Sequence, residues 1–316
     1  MSATVPSLNS DVINNQNAAF KIIEEMSYDF LYGSISAAIS KTTVAPIERL
    51  KLLLQTRFIN NYNDNLVNIT RNIIREQGML SFWRGNFPNI IRYFPLQAFM
   101  LSFKEQFKLI FVPQSKDSST ISIICGNVFS AGVAGCSAIT IIYPLDLTRT
   151  RLAVDMGANN REFKGIIDCL SKTYKTGGIL SWYQGLSASY CCYFIYRGLQ
   201  IGGYDAAKRI YNIDLKKKTK DNNVDSAILG YSFLLSYGIS CASMTIAYPF
   251  DTIRRKMMMQ AGINKELRQY QTMWHCWKDI INTNGTKGLY RGLGVNYFRA
   301  FGSSLVLVLF DLFKSL

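Results

Sequence analysis

Tyr248-Pro249-Phe250-Asp251-Thr252-Ile253-Arg254-Arg255-Lys256-Met257-Met258-Met259 closes an uncharged run that begins at Ser226, then sets one acid and three bases into six positions. The same punctuation stands at Pro46-Ile47-Glu48-Arg49-Leu50-Lys51 and at Pro144-Leu145-Asp146-Leu147-Thr148-Arg149. Successive prolines are 98 and 105 residues apart. One proline followed by charges can simply end an apolar helix. Three copies of Pro-x-acid-x-x-base in register mark an internal repeat, which outranks any local reading.

Other landmarks keep the period. The turn glycines Gly85, Gly185 and Gly292 are 100 and 107 residues apart, and Glu105, Asp205 and Asp311 are 100 and 106 apart. A Ser/Asn-rich, flexible tail is expected over 1–25, and copies of the repeat over 26–115, 116–222 and 223–316. Within a copy, a long apolar helix carries the proline signal, a shorter amphipathic segment follows, and a glycine turn opens a second apolar helix. In the first copy the amphipathic stretch runs from Asn63 to Arg75, with Leu66, Ile69, Ile73 and Ile74 expected on one face. The fold class is therefore an all-α membrane protein with six transmembrane helices in three pseudo-symmetric repeats, each with a short surface helix between its spans.

Composition agrees. Of 316 residues 48% are apolar and 18% charged, against roughly 25% charged in soluble domains. A net charge of +14 suits nucleic acid, an anionic membrane or an anionic small ligand. Many of the bases lie inside or at the ends of apolar runs, not on a tail, which argues against a nucleic-acid partner and favours a membrane protein that handles anions. Nineteen of the 35 bases fall between the two helices of a copy, so those loops belong on the electrically negative side. Seven cysteines without a C-x-x-C pair read as reduced thiols. The sequence has no phosphate-binding P-loop, no Rossmann glycine motif and one histidine, His275, so no enzyme, cofactor or metal is expected. The first 25 residues hold one base against three acids, so no cleavable presequence is expected and targeting is internal.

A charge at membrane depth costs about 2.5–3.5 kcal/mol, so these charges should face an aqueous interior. An acid and a base three residues apart share one helix face. Around a threefold pseudo-axis they can close a ring at one end, expected as Glu48 with Arg254, Lys51 with Asp146, and Arg149 with Asp251. A second ring at the far ends of the even helices would use Glu105, Lys108, Asp205, Lys208, Asp311 and Lys314. Two gates that open in turn are what alternating access requires. Charges that break the symmetry are the better ligand candidates. Arg92 and Arg299 lie seven residues after their turn glycines, where the middle copy has Cys192; Lys41 has the counterparts Ile139 and Met244. These three bases, read as having no matching acids, suit a polyphosphate. Tyr193 and Tyr196 could stack on a base or sugar.

The repeated P-x-[DE]-x-x-[KR] resembles the mitochondrial carrier family over residues 26–316. Arg254-Arg255-Lys256-Met257-Met258-Met259 is similar to the RRRMMM signature of its nucleotide-exchanging branch, with Lys256 in place of the third arginine. The resemblance implies exchange of ADP for ATP across the mitochondrial inner membrane, or that of a mitochondrion-derived organelle, by a protein functional as a monomer. It carries phosphate contacts to Lys41, Arg92 and Arg299, an adenine contact to Tyr196, and further nucleotide recognition to Lys104, Arg254 and Arg255. It makes Gln55 a brace of the matrix gate, and Gly85, Gly165, Gly185 and Gly292 sites for cardiolipin. Cys192-Tyr193 stands where the family has Gly-Ile, and Ala247 and Met100 replace a serine and an asparagine, which points to retained phosphate handling with loosened base selectivity. The alternatives are another carrier of the family, for ATP-Mg/phosphate, CoA or a broad range of nucleotides, and a basic membrane scaffold.

Overall fold

The computed structural model describes residues 37–56, 66–113, 119–155, 162–204, 207 and 226–301. Helix α1 covers 37–56, followed by α2 (Leu66–Gln77), a 3-10 turn (Met79–Trp83) and α3 (Asn86–Phe111). The second repeat supplies α4 (Thr120–Val154), α5 (Ile166–Trp182) and α6 (Leu186–Arg197), which continues through a π-helical turn, Gly198–Gly202. The third supplies α7 (Ser226–Met259), α8 (Met273–Leu289) and a final helix, α9, described over 293–301. No strand occurs among the described residues. The result is an all-helical, three-repeat fold. One described helix, α4, is long and apolar enough to cross a membrane by length and composition.

Each proline signal lies inside a helix and does not end it: Pro144 is internal to the 35 residues of α4, Pro249 to the 34 of α7. At 1.5 Å per residue each helix is about 50 Å long. A proline removes one backbone hydrogen bond and bends the axis. Beyond the bend, the proline-bearing helices α1, α4 and α7 bring their charged faces together.

Helix α2 begins three residues after the expected Asn63, and the expected face is met in part; the Leu66 side chain lies outside what is described. Ile69 and Ile73 are buried against Leu53, Leu54 and Phe82, but Ile74 is 42% exposed. One residue past Ile73 is a further 100° around the helix, enough to leave the buried stripe. Helix α8 packs Cys276, Ile280 and Leu289 on Ile253 and Met257 of α7, and α4 meets α7 through Ile139, Tyr143, Leu147 and Met258. The signature methionines Met257 and Met258 thus serve as packing.

The turn glycines join one repeat to the next. Gly85, Gly185 and Gly292 hold φ of +82°, +85° and +87°, a left-handed backbone that glycine adopts without strain. A Cβ on Gly85 would lie 2.9 Å from the Cβ of Ala153 in α4, and one on Gly185 3.0 Å from the Cβ of Met257 in α7. One on Gly292 would approach Leu54 of α1 at 3.5 Å. Each turn therefore leans on the proline-bearing helix of the following repeat, closing a cycle. Arginines reinforce two of these joints: Arg49 of α1 donates to the carbonyl of Ala153 at 2.9 Å, and Arg151 of α4 to that of Ala261 at 2.6 Å.

Two outcomes test this packing. Gly85→Ala should cost about 1–3 kcal/mol, read as a lower melting temperature of the purified protein. At the start of α5, the Lys164 amide donates to Asp168 at 2.9 Å and the Lys172 ammonium lies 2.9 Å away, which together hold the Asp168 carboxyl below its ordinary value. A lowered carboxyl stabilises the fold above its unfolded pKa and loses that contribution as pH falls through the folded one. The protection factor of the Lys164 amide, its exchange relative to the free peptide at the same pH, should therefore fall in acid, and Asp168→Asn should abolish that pH dependence.

Candidate functional site

The three proline signals meet at one end of the bundle. Lys51 of α1 reaches Asp251 of α7 at 2.7 Å, Arg149 of α4 bonds Glu48 of α1, and Arg254 of α7 bonds Asp146 of α4. A closed ring forms, but in the opposite sense to the one expected: each base takes the acid of the preceding repeat, not the following one. The triplet fixes the angular offset between acid and base on a helix. It does not fix whether the repeats run clockwise or anticlockwise around the axis, and that handedness selects the neighbour.

Every ring carboxylate has further partners. Gln55 donates to Asp251 at 3.1 Å, and Asn89 of α3 donates to Glu48 at 2.8 Å. Arg255 lies 3.7 Å from Asp146 and 3.6 Å from Asp251, and bonds Thr150. Arg92 and Arg299, read from sequence as lacking acids, do have them: Arg92 lies 3.4 Å from Asp146, and Arg299 3.5 Å from Glu48. The cause is helix height, since α3 and α9 carry these arginines to the level of the ring, a relation between helices that no repeat period encodes. Six bases thus share three carboxylates. Such crowding of buried cations leaves net positive charge unmatched.

Directly above the ring lies a cavity of about 240 Å³. Its lining carries eight bases and two acids. The candidate residues Lys41, Arg92, Tyr193, Tyr196, Arg254, Arg255 and Arg299 all line it, as do Cys192 and Ala247. Lys104 is not among the lining residues; twelve positions past Arg92 on α3, it is about 18 Å along the helix. Met100 instead packs with Leu96, Ala138 and Ile142. Of the far ring, Glu105 and Lys108 are exposed, while Asp205, Lys208, Asp311 and Lys314 lie outside the described residues. Gly165 precedes α5, with open space where a side chain would go.

Four cavity tyrosines each carry a cation over the ring. Lys41 lies 4.8 Å from the centre of Tyr93, Lys51 5.4 Å from Tyr248, Arg197 5.4 Å from Tyr196, and Arg254 5.0 Å from Tyr193. Arg197, Asn89 and Asn296 were missed in the sequence, yet each had a signal. Arg197 stands twelve past its turn glycine, where the other copies have Gln97 and Ser304, so it breaks the symmetry as Arg92 does. Asn89, Ser189 and Asn296 each stand four past a turn glycine. There Asn89 holds Glu48, Ser189 bonds Tyr143, and Asn296 accepts from Arg299 at 2.8 Å.

A three-repeat helical fold with a charged interior, one closed end and a basic cavity defines a carrier-type transport protein. A family model described as mitochondrial carrier protein matches residues 24–115, 123–215 and 228–316, one segment for each proline signal. The chain belongs to the mitochondrial carrier family, a family of transporters and not of enzymes. ADP/ATP translocase 2 of Rattus norvegicus and ADP/ATP translocase 3 of Homo sapiens are each 40% identical over 295 residues, covering 90% of this chain and 96% of theirs. The ADP,ATP carrier protein of Parachlorella kessleri is also 40% identical over 295 residues, with 84% of its length covered.

The ring's sense is testable by charge reversal. Lys51→Asp would place two carboxylates face to face and should cost about 3–5 kcal/mol in the melting of the unliganded protein. Adding Asp251→Lys should recover most of that loss. Adding Asp146→Lys instead should recover none.

Proposed function

We propose that this chain exchanges ADP for ATP across the mitochondrial inner membrane by alternating access. The observation that carries the reading is the excess of bases over carboxylates at the floor of the cavity, six against three, five of the six bases being buried. A multiply charged anion is the ligand that resolves such an excess. The similarity to ADP/ATP translocases supports an adenine nucleotide as that anion. Six spans are supported by an inside-out distribution: Leu101, Ile110, Ile121, Ile246 and Phe298 are exposed on the outer faces of helices whose interior is charged.

In this mechanism Lys41, Arg92 and Arg299 receive the phosphates, and Tyr196 lies beside the nucleoside. Arg92 and Arg299 touch both the cavity and the ring, so a phosphate that recruits them competes with Asp146 and Glu48. Binding then draws two cations away from the closed end and lowers the cost of parting the helices there, the differential interaction that a conformational switch requires. The ring around Glu48, Lys51, Asp146, Arg149, Asp251 and Arg254, braced by Gln55, acts as the matrix gate. Glu105, Lys108, Asp205, Lys208, Asp311 and Lys314 act as the cytoplasmic gate, and cardiolipin at Gly85, Gly165, Gly185 and Gly292 seats a functional monomer in the membrane. Exchange of ADP³⁻ for ATP⁴⁻ moves one net charge, worth about 2.3 kcal/mol per 100 mV.

The chain reconstituted with internal ADP should take up labelled external ATP, with no uptake into vesicles lacking internal nucleotide. Arg92→Ala should lower uptake at least tenfold, as about 1.4 kcal/mol of lost phosphate contact would. Equal uptake into empty vesicles, or an unaffected Arg92→Ala, would overturn the reading.

A further inference from the structure

Tyr193 occupies a position where stacking on the substrate is the obvious role, but one face of its ring is already taken. The Arg254 Cζ lies 5.0 Å from the ring centre. Arg254 is the most deeply buried base of the ring after pairing, with a side chain 3% exposed, and its Nε is buried with no hydrogen-bond partner. An aromatic face is electron-rich, and over a desolvated guanidinium it supplies the attraction that the missing acceptor does not. The phenol body packs on the cluster of Ile139, Tyr143, Leu147 and Met258 that joins α4 to α7.

The other gate bases show that this is a local device. Lys51 is covered by Tyr248, which precedes the proline of its own helix, at 5.4 Å. Arg149 shares Glu48 with the Asn89 amide. The eighth residue past the turn glycine is Tyr93, Tyr193 and Ala300 in the three repeats. Tyr93 holds Lys41 at 4.8 Å and so leaves the gate alone. Only at Tyr193 does this position deliver a ring onto a gate arginine.

We infer that Tyr193 is a positioning residue of the closed gate: its ring holds Arg254 on Asp146, and is thereby withdrawn from stacking on the nucleobase. The ring belongs to the second repeat and Arg254 to the third, so the contact spans the seam that must part when this end opens. Weakening it should favour opening without altering the grip on substrate. The inference uses ADP/ATP exchange, the proposed function, as its principal readout.

The test is exchange kinetics in proteoliposomes with Tyr193→Phe and with phenylalanines carrying one, two and three fluorines incorporated at position 193. Fluorine drains charge from the ring face at nearly constant shape, so a purely structural ring would not respond. Tyr193→Phe retains the ring face and serves as the reference against which the fluorinated series is read. Along the fluorinated series kcat should rise stepwise, by up to about tenfold, with KM unchanged. A stepwise rise in KM at constant kcat would mean that the ring stacks on the nucleotide, and a flat series that it only fills space; either overturns the inference. If the wild-type chain exchanges no adenine nucleotide, the transport reading fails separately. The same series then tests the contact by thermal unfolding of the unliganded protein, where a graded fall in the midpoint supports it and a flat series overturns it.

Discussion

A carboxylate taken fully out of water must find cations, and Asp146, with no exposed side-chain surface, finds three: Arg254, Arg92 and Arg255. The rest of the structure is arranged around that demand and its two equivalents at Glu48 and Asp251. Removing one member of such a set leaves a charge uncompensated, whereas the intact set roughly offsets its own desolvation. The closed end is therefore held strongly against a missing partner and only modestly against a competing one. That asymmetry suits a gate that a soluble anion opens and a passive fluctuation does not.

Threefold repetition supplies the frame, and departures from it supply the chemistry. The glycine turns and buried core clusters lock each repeat to the next in one rotational sense. On that frame the symmetric residues close the end, while Lys41, Arg92, Arg299 and Arg197, which have no charged counterparts in all three repeats, turn the space above into a basic cavity. The two sets are in contact, because Arg92 and Arg299 bridge cavity and ring. In the proposed mechanism the site and the gate thus share side chains, and coupling between them needs no relay through the helices.

Much of this was legible in the chain. The period, the Pro-x-acid-x-x-base triplets and the turn glycines gave the three-repeat helical fold, and symmetry breaking led to Arg92, Arg299 and Lys41. Two kinds of fact were not legible. Handedness was one: the triplet fixes an offset within a helix, and the ring closes in the sense opposite to that expected. Relative height was the other: nothing in the spacing told that Arg92 would stand beside Asp146, or that Arg254 would lie over Tyr193 and take up a face otherwise assigned to substrate. Asn89 and Asn296 were legible in principle, four residues past their turn glycines, but a neutral residue breaks no charge pattern and so drew no notice.

Competition between phosphate and the gate carboxylates for the same two arginines is the core of the proposed mechanism. It is tested most directly by the positions of Arg92 and Arg299 in an experimental structure of the chain with ADP bound. With competition, both guanidiniums lie on the phosphates and more than about 4 Å, the limit of an ion pair, from Asp146 and Glu48. Arginines still seated on those acids, with the phosphates held elsewhere, would contradict it.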